Sequence, residues 1–294
     1  MSTGGTNSRV IAVEPSGRFA YVANVVSNDI SVFSIDPNTS SLSLVGSPVP
    51  AEAGPEFIAI GPTGKLLYVV NQNSNHITGF SIDSNTGALT PLPGQVPTDD
   101  APVAITFDPS GQFAYVANFI SGDVTAYRLD STGALGLLGA IPTDVNPSSI
   151  AMHPSGKFAY VTSLASNEIT AFQVSQVSGG WTPLSPSVAT GQGPTSSTID
   201  PQGRFVYVTN AFGGSVSTFA VDAANGALTP ASTVPAGTIP VSITLDPSGR
   251  FAYVANQGSN NVITFTVDSS TGALTPSGPP VDAGTGSSWV ALIK

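Results

Sequence analysis

The chain contains no cysteine. Disulfides and thiolate metal sites are therefore excluded, and the redox character of its compartment is left open. Cations are scarce as well: eight Lys and Arg stand against 18 Asp and Glu, for a net charge of −10. That balance excludes nucleic acid as a partner, because phosphate binding needs a basic footprint. Only two histidines are present, so imidazole chemistry has two places to occur. No apolar run approaches the length of a membrane-spanning helix, and Met1–Gly5 lacks the basic and apolar segments of a signal peptide. Sparing use of Lys with abundant Ser, Thr and Asn leans towards an extracytoplasmic protein, with localisation otherwise undetermined. Three common motifs are absent: a phosphate-binding Gly-Lys-Ser/Thr, a Gly-x-Ser-x-Gly elbow and a His-Glu-x-x-His helix.

Gly (31) and Pro (25) are plentiful and regularly placed. The stretch Asp246-Pro247-Ser248-Gly249-Arg250-Phe251-Ala252-Tyr253-Val254-Ala255-Asn256 has five counterparts, beginning at Glu14, Gly61, Asp108, His153 and Asp200. Successive turn prolines, from Pro15 to Pro247, are 47, 47, 45, 47 and 46 residues apart. A fixed period of this size is the signature of a repeat architecture.

Each repeat predicts four short strands. In the last, Pro240–Leu245 alternates apolar and polar residues, Phe251–Ala255 and Val262–Val267 follow, and Leu274–Pro276 is a weak edge strand that tolerates proline. Asp-Pro-Ser-Gly is a hairpin turn, in which Asp bonds the backbone, Pro presets φ and Gly supplies a left-handed residue. Asp268–Gly272 is a longer hairpin loop. Four antiparallel strands per period of this length describe a β-propeller blade. The expected fold is all-β, a single propeller domain over residues 1–294, with repeats starting near 9, 56, 103, 148, 195 and 241. A seventh copy of the first strand, at 289–293, is left over. Six blades plus a spare innermost strand is the favoured arrangement; an incomplete seventh blade is the alternative.

In such a blade the acids fall into two groups. Nine occupy the turns between strands one and two or three and four, where Asp is a turn residue. The other nine lie on the opposite rim, around the expected channel mouth. Asp29, Asp123 and Glu168 begin third strands in the register of His76, Ser215 and Asn261. Glu52, Asp99, Asp100, Asp144 and Asp282 lie in the blade-to-blade connections, and Glu56 opens a first strand. An acidic mouth favours cations or neutral polyhydroxylated ligands. The second strand ends in Asn24, Asn71, Asn118, Asn210 and Asn256, with Ser163 in the fourth repeat. These amides serve either to cap the bend into the next loop or to bind a ligand. The candidate binding set is these five amides with Asp100, Asp123 and Glu168.

Two residues are candidate catalytic groups. His76 is the one imidazole expected on the mouth rim and a candidate general base. Glu56 places a carboxylate where sister repeats carry Val103, Ser148, Thr195 and Val241, although Arg9 shares its register and could neutralise it. His153 replaces a turn Asp and is expected to act locally. No cofactor is required. A Ca²⁺ site from Glu56, Asp100 and amide oxygens is chemically reasonable, though no linear calcium loop accompanies it.

The Asp-Pro-Ser-Gly-Arg-Phe-Ala-Tyr-Val-Ala-Asn repeat, together with Val-Asp-x-x-Thr-Gly-Ala-Leu-Thr-Pro, resembles the lactonase-type propellers. These are relatives of 6-phosphogluconolactonase and of the Tyr-Val-Thr-Asn surface-layer repeats, the latter matched by Tyr207-Val208-Thr209-Asn210. The resemblance spans residues 8–294. It implies either a seven-bladed lactone hydrolase or a non-catalytic surface array. Of the residues that the enzymes carry, the His-Pro-x-Gly turn is matched at His153–Gly156. The following glutamate is missing at Thr162-Ser163-Leu164, and the His and Arg after Gly-Pro are replaced by Glu56-Phe57. Hydrolysis of 6-phosphogluconolactone itself is therefore not expected. Two readings follow: a hydrolase of a neutral lactone or ester working at the acidic mouth, or a binding or cell-surface scaffold. The ligand is a lactone or sugar-like small molecule in the first case and a protein partner in the second.

Overall fold

A computed structural model describes residues 4–184, 186–286 and 288–292. Among the described residues there are six antiparallel sheets, each with a four-strand path from first to fourth strand in sequence order. No helix occurs among the described residues, so none is long and apolar enough to cross a membrane. The expected β-propeller architecture is therefore present, with six blades.

The first strands are Ser8–Val13, Pro55–Ile60, Pro102–Phe107, Pro147–Met152, Pro194–Ile199 and Pro240–Leu245. The last matches its expected limits, the other five begin one residue ahead of the expected repeat starts, and all six open at a residue that pairs with the last residue of the second strand. A bulge one or two residues further on resets the register in every blade. Four sheets carry an extra two-residue strand, such as Val96–Pro97, against the start of the third strand. In the third and fifth blades the fourth strand runs unbroken instead, as Leu135–Pro142 and Leu228–Pro235. The leftover run behaves differently from expectation: Trp289–Leu292 form no strand, and Ile293 lies outside the described residues. A first strand needs a second strand to pair with, and the sequence repeats that second strand only six times.

Contacts gather the described residues into two compact units, one reaching to Ala140 and including Ala291 and Leu292, the other spanning Ile141–Val290. In unit 1 the first strands of blades 1, 2 and 3 lie side by side, as do those of blades 4, 5 and 6 in unit 2. Second strands are buried along almost their whole length, Phe19–Asn24 and Phe113–Asn118 completely. The core of unit 1 interleaves neighbouring blades: Tyr21, Ile30 and Val32 pack with Ile58, Val69 and Phe80.

The recurring turn and loop residues are latches. Tyr21 Oη donates to the Gly87 carbonyl of the next blade, as Tyr68 does to Gly133 and Tyr160 to Gly226. A second latch comes from the loop after the second strand. Asn28 and Asn75 adopt left-handed φ of 56° and 57°. Their Oδ1 atoms accept from the backbone N–H of Gly54 and Ala101, in the approach to the next blade. Asn167 bonds Gly193 in the same way within unit 2.

Candidate functional site

In each blade the start of the first strand, the end of the second and the start of the third come together. Pro55 pairs with Asn71, which pairs with His76; in the next blade Pro102, Asn118 and Asp123 follow suit. This register gathers the acids of the blade-to-blade connections and the third-strand starts at one end of each sheet.

The five strand-end amides are fully buried. Asn24 Nδ2 donates to Asp29 and Ser31, Asn118 Nδ2 to Asp123 and Thr125, and Asn210 Nδ2 to Ser215 and Ser217. Asn71 Nδ2 donates to Thr78 Oγ1 and the His76 carbonyl, and Asn256 Nδ2 to Asn261 Oδ1. The side chain ties second strand to third, while the left-handed bend belongs to the loop asparagines Asn28 and Asn75. Their carbonyl oxygens are treated differently from blade to blade. Asn210 and Asn256 Oδ1 accept the backbone N–H of Gly191 and Gly237. Asn71 and Asn118 Oδ1 are buried without a hydrogen-bond partner.

His76 is the best-organised candidate base. Its Nδ1 lies 2.7 Å from the Ser74 carbonyl oxygen and 3.5 Å from a Glu52 carboxylate oxygen. Both neighbours accept, so Nδ1 carries the proton and Nε2 presents its lone pair. The ring is 32% exposed, against 21% for Glu52. Gln95 Nε2 donates to the same glutamate and holds it in place. Glu52 was not singled out from sequence; its signal was an acid in the connection leading into the blade that carries the histidine.

Glu56 is held by Arg9, with Nη2 to Oε1 at 2.6 Å; the glutamate is 12% exposed and the arginine 48%. Burial pushes the Glu56 carboxyl above its ordinary range, and Arg9 offsets only part of that. The expectation that Arg9 shares its register is met, by direct pairing. Asp123 is also raised, first by burial; the bond from Asn118 opposes this, and the neighbouring Asp99 and Asp100 add to it. Asp100 Oδ1 accepts from Asn75 Nδ2 at 3.0 Å. Glu168, in unit 2, accepts from Ser187 Oγ at 3.0 Å. The structure thus brings Glu56 together with Arg9, His76 with Glu52, and Asp123 with Asn118. Among the described residues no three of His, Asp and Glu are close enough to hold a metal ion by themselves.

His153 sits in its turn, buried. Its Nδ1 accepts from the Ser155 backbone at 3.0 Å and its Nε2 donates to the Gly203 carbonyl at 3.0 Å. Phe158 meets its ring edge-on. Burial lowers its pKa, so the ring is a neutral turn residue.

Fold and strand-end chemistry together define a β-propeller with acid-lined blade ends. The sequence matches the family described as lactonase, 7-bladed beta-propeller, over residues 2–104, 91–197 and 150–291. The chain belongs to that family. No curated protein matches it. Among solved structures, a candidate 6-phosphogluconolactonase from Bacteroides fragilis is 22% identical, with a TM-score of 0.82 over 95% of this chain and 85% of that one. The periplasmic gluconolactonase of Pseudomonas aeruginosa is 22% identical, with a TM-score of 0.81 over 95% and 86%. Hydrazine synthase from Kuenenia stuttgartiensis is 19% identical, with a TM-score of 0.75 over 98% and 90%. At these identities the likeness concerns the fold alone, and a fold hosts many chemistries.

Proposed function

We propose that the chain is a lactonase-like hydrolase that opens a neutral lactone or ester at the acidic strand ends of its second blade. The observation carrying this reading is the Ser74–His76–Glu52 arrangement, which fixes the proton on Nδ1 and leaves Nε2 as a base. Water gives its proton to Nε2 as its oxygen attacks the ring carbonyl, and Glu52 stabilises the imidazolium that forms. Arg9, half exposed and oriented by Glu56, supplies positive charge for the developing oxyanion. The imidazolium returns its proton to the leaving alkoxide, giving a hydroxy acid that releases a proton at neutral pH. An acidic surrounding disfavours phosphorylated substrates and suits uncharged ones. The route uses no cofactor.

A pH-stat assay over neutral sugar and aliphatic lactones tests the reading. His76→Gln is expected to lower turnover about 10²- to 10⁴-fold, and Glu56→Gln about 10²-fold through loss of Arg9 alignment. No proton release above background from any lactone would overturn it. The scaffold reading then leads, supported by Val26 and Ile120, apolar side chains 61% and 70% exposed in loops beyond the second strands.

A further inference from the structure

The two buried amide oxygens without partners, on Asn71 and Asn118, have a common cause. Three residues before the residue that opens each first strand, blades 1, 5 and 6 carry glycine: Gly5, Gly191 and Gly237. A Cβ there would come within 2.2, 2.7 and 2.5 Å of the strand-end asparagine. Lacking one, Gly191 and Gly237 bring their N–H groups to the amide oxygen at 3.0 and 2.9 Å. Blades 2, 3 and 4 carry Glu52, Asp99 and Asp144 instead. Such a side chain cannot occupy that space, and no backbone donor reaches Asn71 or Asn118 Oδ1 in blades 2 and 3.

In blade 3 the consequence is sharpest. Asn118 Nδ2 bonds Asp123 Oδ1 and Thr125 Oγ1, both at 2.7 Å, which fixes the amide in the orientation used in blade 5. Its Oδ1 therefore faces the residue equivalent to Gly191, which is Asp99. Thr125 Oγ1, accepting from Asn118, donates to Asp99 Oδ2 at 3.2 Å. Two carboxylates thus lie against the Asn118–Thr125 pair, and the oxygen of the same amide is fully buried and unpartnered. No ion pair among the described residues includes Asp99 or Asp123. All three groups are oxygen acceptors; what they lack is a positive charge.

We infer that Asp99, Asp123 and Asn118 Oδ1 form a Ca²⁺ site in blade 3. Calcium takes six to eight oxygens in flexible geometry, so two carboxylates and an amide leave room for water. The site is distinct from the proposed hydrolytic group in blade 2 and does not depend on it. Few charges and a partly solvated cluster correspond to the weak end of calcium affinities, about 10⁻⁴ to 10⁻³ M.

Isothermal titration of chelator-stripped full-length chain with CaCl₂ is the test, alongside two variants that copy blade 5: Asp99→Gly, after Gly191, and Asp123→Ser, after Ser215. The wild type is expected to bind with a Kd in that range, and each variant at least about tenfold more weakly. Asp99→Gly returns a backbone donor to Asn118, so it is expected to fold without calcium; should circular dichroism show otherwise, Asp123→Ser carries the comparison. Wild-type heats equal to dilution, or folded variants binding as the wild type does, would overturn the site.

Discussion

Gly87 illustrates how much a single residue in this chain answers for. Its φ is +73°, a left-handed conformation that L side chains rarely adopt, and a Cβ would lie 2.4 Å from the Phe19 ring of the preceding blade. Its carbonyl also receives the Tyr21 hydroxyl. Gly87→Ala is therefore expected to lose about 1–3 kcal/mol by overpacking alone, measured by urea unfolding. Gly122→Ala is the control. It has the same φ of +73° and nothing within 4 Å, so strain acts there without a clash. Equal losses at both positions would show that backbone strain, and not the Phe19 contact, sets the cost. At the same scale, Glu56 was legible from sequence as a break in the first-strand pattern and His76 as the one imidazole of its rim, but their settings were not. Glu52 stands 24 positions before His76, and only the pairing of third strand to second and of first strand to second brings those stretches to one end of the sheet.

Between elements, the latches decide how blades hold one another. The Tyr160 hydroxyl reaches the Gly226 carbonyl at 3.1 Å across the gap between blades 4 and 5. Tyr160→Phe leaves that carbonyl buried without its donor and is expected to cost about 1–3 kcal/mol. A change within about 0.3 kcal/mol would show that water replaces the hydroxyl. The tyrosine was readable as part of the repeat, as a buried second-strand residue. That it is paired to the Asn225-Gly226 loop of the following blade was not, because the bond joins residues 66 apart. Strand limits were closely anticipated, since alternation and turn chemistry are local. The first strands nevertheless start earlier than the apolar pattern does, because a bulge lets the leading residue pair out of phase.

For the molecule as a whole, pH is the variable to which the sequence and structure speak together. The turn and loop acids Glu14, Asp36, Asp83, Asp130, Asp246 and Asp268 are held below their ordinary range. Hydrogen bonds from Ser and Thr hydroxyls and backbone N–H groups are responsible, and where burial opposes them they outweigh it; Asp268 reaches about 2. Folded values below unfolded ones mean that this contribution is present above about pH 4 and is lost as pH falls towards about 2. Glu56 and Asp123 act in the opposite sense, because their raised values favour the folded state at low pH and that benefit fades as pH rises through them. Acid unfolding followed by circular dichroism is expected to begin below about pH 4. Asp268→Asn should flatten the descent; an unchanged profile would remove the turn acids from the account.

What the sequence determined by itself is the blade. Periodicity, alternation and the Asp-Pro-x-Gly and Thr-Gly turns depend on neighbours within a few dozen residues, so six four-stranded repeats follow from local chemistry repeated six times. Tertiary structure decided the sites. The strand-end amide looks the same in five blades, and only folding shows that Gly191 satisfies the oxygen of Asn210 while that of Asn118 is left without a donor and Asp99 bonds Thr125 beside it. The physical reason is distance along the chain. Donor and acceptor lie 19 residues apart in blade 5, and Asp99 and Thr125 lie 26 apart in blade 3. Such pairs meet only when separate strands are packed, and burial then decides which strand-end oxygens keep a partner.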